Sequence, residues 1–139
     1  MNKYFVDTDV ILDLLAERKP HYHFSALLFT YAEMEKYKLY TTPTVMVNTF
    51  YILRKQLGND NAKTALRKLR LILHVTDSTE NVINQALNSR FNDFEDAVQY
   101  YTALNSGISV ILTRNVKDYK ASNILVQSPE LFLVSNGLI

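Results

Sequence analysis

Short apolar runs alternate with helical patterns along the whole chain, and this alternation limits the fold more than any other feature. An apolar run at 4–6 ends abruptly at Asp7, and residues 109–113, SVILT, form a continuous run typical of a strand buried on both faces. We predict strands at 4–6, 39–42, 74–76, 109–113 and 124–126. Because helical patterns separate them, these strands are expected to lie parallel in one sheet that helices cover on both faces.

Capping and helix-breaking residues set the predicted helix boundaries. Pro20 is expected to end the first helix, and a second is predicted for about 21–37. Thr42-Pro43 is typical of a helix start, and Gly58 of a helix end. Further helices are predicted at about 60–72, 79–90 and 93–105, and another begins at 128–130. Helical spacing groups Val45, Thr49, Ile52 and Leu53 on one face, and likewise Phe94, Ala97, Val98, Tyr101 and Leu104.

Length and composition indicate one ordered domain spanning residues 1–139. The chain has no cysteine, which excludes disulfides and thiolate metal sites. Its net charge is +1, so binding of nucleic acid has to come from a local site or from the pooled surface of a dimer. The first apolar run is too short for a signal peptide, and no run approaches the roughly 20 residues of a membrane helix. We therefore expect a cytoplasmic protein with no membrane partner.

Acidic residues follow two predicted strands and begin the helix that lies between those strands in the sequence. Asp7 and Asp9 come directly after the first strand, and Asp118 lies just beyond the strand at 109–113. Asp93, Glu95 and Asp96 stand at the start of the helix between them. Ligands of open parallel sheets bind outside the carboxyl ends of the strands, so these carboxylates are expected to share one cleft. Such carboxylates repel one another unless a cation neutralises them, and their hard oxygens suit Mg²⁺ or Mn²⁺.

Each acidic motif also has a purely structural interpretation. Asp7 and Asp9 could cap the first helix, Asp93 and Asp96 are spaced as an acidic capping box, and Asp118 could be an ordinary turn residue. The joint arrangement of the motifs favours a metal site more than any single motif does.

Three segments together resemble the PIN-domain nucleases. Residues 5–13, FVDTDVILD, are similar to the opening of that family. Residues 93–100, DFEDAVQY, resemble the central acidic motif of one bacterial branch, and 112–119, LTRNVKDY, resemble its late motif T-R-(D/N)-x-D-(F/Y). Their order and spacing cover the whole chain.

The resemblance implies a Rossmann-like, three-layer α/β fold and metal-dependent ribonuclease activity of the VapC-like branch. It implies that Asp7 and Asp96 are metal ligands and that Asp118 assists directly or through water, so these three are the expected catalytic residues. Thr113 is expected at the floor of the site, with Asp9 and Asp93 in support. The family also implies RNA as substrate, an antitoxin protein as a candidate partner, and a homodimer.

Two asparagines depart from the family pattern. Asn48 stands where the family commonly has a glutamate after the second strand, and Asn115 where the late motif often has an aspartate. Each change removes one negative charge, so the site is expected to bind metal more weakly than a site with four acids. Asn48 is either a ligand or a structural hydrogen-bond donor to Asp7 or Asp96.

The basic residues give fewer indications of function than the acidic residues do. Arg114, inside the late motif, is the expected contact with RNA. Lys63, Arg67 and Arg70 form a stripe at helical spacing, which we interpret as a solvated helix face rather than a phosphate contact.

The leading hypothesis is a ribonuclease in which a metal-activated water attacks a phosphodiester. The main alternative is a PIN-fold module that binds RNA or protein with a catalytically weakened site. An aspartyl-phosphate phosphatase is a more distant alternative, because the acidic helix start at 93–96 has no role in such an enzyme.

Overall fold

The computed structural model describes all 139 residues as five parallel strands and seven α-helices. The strands are β1 (Lys3–Val6), β2 (Lys38–Thr41), β3 (Leu73–Val75), β4 (Val110–Leu112) and β5 (Leu125–Gln127). The helices are α1 (Thr8–Leu15), α2 (Tyr22–Glu33), α3 (Pro43–Leu57), α4 (Asn59–Leu69), α5 (Glu80–Leu87), α6 (Phe94–Asn105) and α7 (Pro129–Ser135). This is the predicted α/β architecture.

The sheet has the order β3-β2-β1-β4-β5, and every neighbouring pair is parallel. The chain builds outward from β1 through β2 to β3, then crosses back to place β4 on the other side of β1. The strand order therefore reverses between β1 and β4. Ligands of open α/β sheets bind at such a reversal, outside the carboxyl ends of the strands.

The helices pack in two groups, which cover the two faces of the sheet. One group contains α1 to α4 together with α7, and the other contains α5 and α6. The central strands have no exposed face, and Phe5, Val6, Ile111 and Leu112 are completely buried. A parallel sheet needs this double cover because both faces of its strands are apolar. No helix of the chain combines the length and the apolar character needed to cross a membrane.

Several helix ends differ from the sequence-based prediction. Helix α1 already ends at Leu15 rather than at Pro20. Just beyond that end, Glu17 adopts a left-handed conformation with φ of 50°. Helix α2 ends at Glu33 rather than near 37, because a second left-handed residue, Glu35 (φ 61°), turns the chain toward β2. A 3-10 helix at Val116–Tyr119 was not predicted, and it carries Asp118.

Not every apolar residue that helical spacing groups on one face is buried. Ile52 is 42% exposed because its side of α3 borders an open cleft rather than another helix. Phe94 and Leu104, in the first and last turns of α6, are likewise exposed. The buried face of α6 instead includes a polar residue, Gln99, which is 1% exposed.

Candidate metal centre

A cleft of about 530 Å³ lies at the carboxyl edge of the sheet, where the strand order reverses. Six carboxylates and one cation, Arg18, line it. The acids are Asp7, Asp9, Asp93, Glu95, Asp96 and Asp118. The sequence-predicted acids therefore lie together, and the asparagines Asn48 and Asn115 line the same cleft. The sequence groups Glu95 with these acids, but no role in the site was predicted for it.

Asp7 is positioned by three hydrogen bonds and is 8% exposed. As the N-cap of α1 it accepts from the Thr8 N–H through Oδ1 at 2.7 Å, so the capping interpretation and the cleft position are both correct. Its Oδ2 accepts from the Thr113 hydroxyl at 3.1 Å and from the Tyr119 hydroxyl at 3.2 Å. Burial, and then the charge of Asp9, raise the pKa of Asp7 to about 6 despite these donors.

Asp96 contrasts with Asp7, because its carboxylate accepts no hydrogen bond from the chain. The expected capping box is only half formed: Asp93 Oδ1 accepts from the Asp96 N–H at 2.9 Å, and no bond returns from the Asp96 side chain. Burial raises the pKa of Asp96 to about 7, and the charges of Asp7, Asp93, Asp118 and Glu95 add to the effect. The carboxylate is therefore held in the cleft with its lone pairs free.

Asp9 is connected to the chain segment that follows β4. Its Oδ2 accepts from the Arg114 backbone N–H at 2.9 Å and lies 3.4 Å from the Thr113 hydroxyl. Its Oδ1 is buried and has no partner. Burial raises the pKa of Asp9, and a buried oxygen without a donor is a position that a cation or water would satisfy.

A buried chain of hydrogen bonds links Asp7 to Asn48. The Tyr119 hydroxyl lies 3.0 Å from Gln99 Oε1 as well as 3.2 Å from Asp7. Gln99 Nε2 donates to Glu95 Oε1 at 3.2 Å, and Asn48 Nδ2 donates to the same oxygen at 3.0 Å. The partner of Asn48 is thus Glu95, not Asp7 or Asp96 as its helical position suggested. Sequence spacing could not identify Gln99 or Tyr119, because both residues reach the site through tertiary packing.

Arg114 does not line the acidic cleft. Its Nε and Nη2 donate to Asp13 at 2.6 and 3.1 Å, and Asp13 is completely buried. The pair lines a separate cavity of about 250 Å³ beside α2 and α7. The guanidinium is therefore paired with Asp13 outside the acidic cleft, and its contact with RNA stays a prediction.

The donor set of the cleft consists of carboxylate and amide oxygens, which suits Mg²⁺ or Mn²⁺. In this conformation no three histidine or acidic side chains converge closely enough to hold a metal ion together. A site with one or two direct carboxylates and several waters does fit, and it is the arrangement that Mg²⁺ commonly adopts. The free carboxylate of Asp96 and the orphaned oxygen of Asp9 are consistent with such a site.

Comparison with known proteins identifies related sequences and folds. A family model described as "PIN domain" matches residues 3–117. Ribonuclease VapC1 of Aquifex aeolicus (strain VF5) is 27% identical over 135 residues, which are 94% of this chain and 92% of that protein.

Two solved structures share the fold over most of their length. VapC20 of Mycobacterium tuberculosis, a sarcin–ricin-loop-cleaving toxin, matches with a TM-score of 0.65 and 19% identity, over 85% of this chain and 94% of its own. A toxin–antitoxin complex from Klebsiella pneumoniae contains a chain that matches with a TM-score of 0.68 and 16% identity, over 91% of this chain and 97% of its own.

Proposed function

Because the chain belongs to the PIN-domain family, we propose that it is a metal-dependent endoribonuclease and the toxin of a toxin–antitoxin pair. The observation that carries the proposal is the cleft of six carboxylates at the edge of the sheet. Mutual repulsion contributes to the raised pKa values of Asp7 and Asp96, so their charged forms together need a cation. The similarity to ribonuclease VapC1 supports RNA as the substrate.

In this proposal Asp7 and Asp96 hold Mg²⁺ or Mn²⁺, and Asp118 assists directly or through water. Such an ion, when bound, orients a phosphate and lowers the pKa of a bound water. Thr113 and Tyr119 hold Asp7 in one orientation through its Oδ2. Asp93 caps α6 and thereby presents Asp96 to the cleft.

The reaction is hydrolysis of a phosphodiester. A water loses one proton as its oxygen bonds to phosphorus, one P–O ester bond breaks, and the departing ribose oxygen takes up one proton. Glu95 has one oxygen held by two amides, whereas its Oε2 makes no hydrogen bond within the chain. We assign Glu95 and Asp118 the role of orienting the attacking water.

A second function remains a candidate because of two observations. The Asn48 amide is engaged with Glu95, and no three acids already have a metal-binding arrangement. A catalytically weakened module that binds RNA or a partner protein would have these features. The two functions differ in whether bound metal leads to cleavage.

The partners follow from the same similarity. A toxin of this class would be held inactive by an antitoxin protein, as the complex from Klebsiella pneumoniae suggests. Whether a small reading frame for such an antitoxin lies next to this gene is the first check, and co-expression of the two products followed by co-purification tests the partner.

The test of the proposed activity is cleavage of labelled RNA by purified protein with Mg²⁺, with Mn²⁺ and with EDTA. We expect metal-dependent products that disappear in Asp96→Asn. In parallel, calorimetry should detect Mn²⁺ binding that is lost in Asp7→Asn. Equal Mn²⁺ affinity in the wild type and Asp7→Asn would refute the metal assignment.

Cleavage that persists in EDTA or in Asp96→Asn would also contradict the proposal. Metal binding without cleavage of any RNA in a diverse pool would favour the weakened binding module instead.

A further inference from the structure

A second cavity, of about 330 Å³, adjoins the acidic cleft. Three acids, Asp93, Asp96 and Asp118, line both spaces, so the cavity opens directly beside the carboxylates. Its remaining wall carries three cations. These are Arg90, Lys117 and Lys120. We call this space the basic groove.

The three cations come from different parts of the chain. Arg90 lies in the segment between α5 and α6, Lys117 lies in the 3-10 helix, and Lys120 follows that helix directly. All three residues are exposed. The chain has one ion pair, between Arg114 and Asp13, so no carboxylate lies within ion-pairing distance of the groove's cations. Their charges are therefore available to an external anion.

The charges around the cleft indicate which kind of ligand the groove suits. The cleft itself presents six carboxylates with one cation, and the whole chain carries a net charge of only +1. A polyanion that enters the cleft therefore meets repulsion there, and neither the cleft nor the overall charge offsets it. A row of free cations next to the cleft supplies the missing attraction, because contacts between phosphates and Lys or Arg dominate affinity for nucleic acids.

We propose that the basic groove binds the backbone phosphates of an RNA strand next to the bond that is cleaved. This inference rests on the proposed ribonuclease function and adds the path of the substrate to it. A strand is the fitting ligand because it can occupy the groove and the cleft at once, whereas a single phosphate can occupy only one of them. The strand leaves the cleft over the 3-10 helix, on the side of Lys117 and Lys120.

The test measures RNA affinity in an Asp7→Asn background, which blocks cleavage and leaves the lining of the groove unchanged. The groove variant is Arg90→Ala/Lys117→Ala/Lys120→Ala. The control variant is Lys63→Ala/Arg67→Ala, which removes exposed cations of α4 that line a different surface groove. Fluorescence anisotropy follows binding of a short labelled single-stranded RNA at several salt concentrations, and melting curves verify that each variant is folded.

The groove variant is expected to bind at least about tenfold more weakly, while the control stays within about threefold of its parent. Each phosphate contact with a single strand contributes roughly 0.7 to the slope of log affinity against log salt, so loss of three contacts should lower the slope by about 2. Three outcomes would each overturn the inference. The groove variant could keep its affinity and salt slope, both variants could lose the same affinity, or the Asp7→Asn parent could fail to bind RNA.

Two further outcomes separate this inference from the activity itself. If the wild-type protein cleaves no RNA but the groove variant loses RNA affinity, the groove assignment stands and the proposed enzymatic function fails. If the groove variant keeps its RNA affinity and instead loses binding of a labelled polyglutamate peptide, the groove serves an acidic protein segment and the inference is wrong.

Discussion

The Tyr119 hydroxyl is the central group of the buried network behind the acidic cleft. It is within hydrogen-bonding distance of both Asp7 Oδ2 and Gln99 Oε1, and Tyr119 is 3% exposed. Burial and the neighbouring carboxylates raise the pKa of Tyr119, so the phenol stays protonated and acts as a donor. Its bond to Asp7 opposes the rise in the pKa of that carboxyl group.

Tyr119→Phe should therefore weaken both stability and metal affinity. Loss of the hydroxyl leaves Gln99 Oε1 buried without a donor, which costs about 1 to 3 kcal/mol of unfolding free energy. Because a partner that orients a metal ligand contributes about tenfold or more to metal affinity, Mn²⁺ should bind at least about tenfold more weakly. Chemical denaturation and calorimetry measure the two effects.

Tyr100→Phe provides the matched control. Tyr100 is equally buried, but its hydroxyl accepts from the Asn123 N–H at 3.1 Å and touches no acid of the cleft. This variant should lose stability and keep its Mn²⁺ affinity. Equal metal affinity in both phenylalanine variants would mean that Tyr119 has only a packing role.

Asn48→Glu tests the position of the asparagine on the cleft wall. The Asn48 amide donates to Glu95 Oε1 at 3.0 Å, so a glutamate there would face another carboxylate. Two like charges about 4 Å apart repel by about 4 kcal/mol at an effective dielectric of about 20. Without metal the variant should melt at a lower temperature than the wild type. Millimolar Mn²⁺ should raise the melting temperature of the variant by more than it raises that of the wild type.

Asn48→Gln, which keeps an amide, should show neither effect. If the glutamate variant gains no more from Mn²⁺ than the wild type does, the new carboxylate lies outside reach of the ion.

At the scale of elements, the segment after β4 is fastened to α1 by an ion pair. Arg114 donates from two nitrogens to Asp13, a completely buried residue of α1. The same segment donates to Asp9 from the Arg114 N–H and to Asp7 from the Thr113 hydroxyl. The pair thus aligns two elements whose side chains form one wall of the site.

Arg114→Leu should destabilise the protein by about 3 to 5 kcal/mol, because it leaves the Asp13 carboxylate buried without a partner. The double variant Asp13→Leu/Arg114→Leu should recover much of that loss, since an apolar pair can replace a buried ion pair at little cost. Urea denaturation compares the two variants. Equal destabilisation in both would show that the ion pair is not what connects the segment to α1.

At the scale of the whole molecule, the cleft makes stability depend on pH. The pKa of Asp7 is about 6 and that of Asp96 about 7 in the folded protein, against 3.8 for an ordinary aspartate. Between pH 3.8 and about 7, the folded state therefore binds more protons than the unfolded state. Stability from these groups is present at acidic pH and is lost as pH rises through about 7.

The metal-free protein should accordingly be more stable at pH 5 than at pH 7.5, with Asp7 contributing about 1.4 kcal/mol of the difference, which corresponds to about one pKa unit. Mn²⁺ should stabilise more strongly at pH 7.5, where the carboxylates are charged. Melting temperatures across this range with EDTA and with Mn²⁺ measure both trends. Asp96→Asn should flatten the metal-free profile, and an unchanged profile would contradict the charge assignment.

A homodimer remains a prediction from the family resemblance and from the near-neutral charge of one chain. Light scattering at micromolar concentration should give about twice the 16.0 kDa mass of the chain. A single species of 16.0 kDa would contradict this prediction.

The sequence alone was sufficient for the architecture and for most of the acids in the cleft. Alternation of apolar runs and helical patterns determines a parallel sheet, and the carboxyl ends of neighbouring parallel strands must meet at one edge. Asp7, Asp9, Asp96 and Asp118 could therefore be brought together on paper. Local rules of capping and spacing are enough for such inferences, because each depends on residues close together in the chain.

Only the tertiary structure decided how these acids are held and which cations remain free. Gln99 and Tyr119 lie on separate elements, and their hydrogen bond depends on how α6 packs against the 3-10 helix. The pairing of Arg114 with Asp13 joins residues 101 positions apart, and it removes from the cleft the one arginine that the motif suggested. Contacts between distant residues depend on packing geometry, which local sequence patterns do not contain.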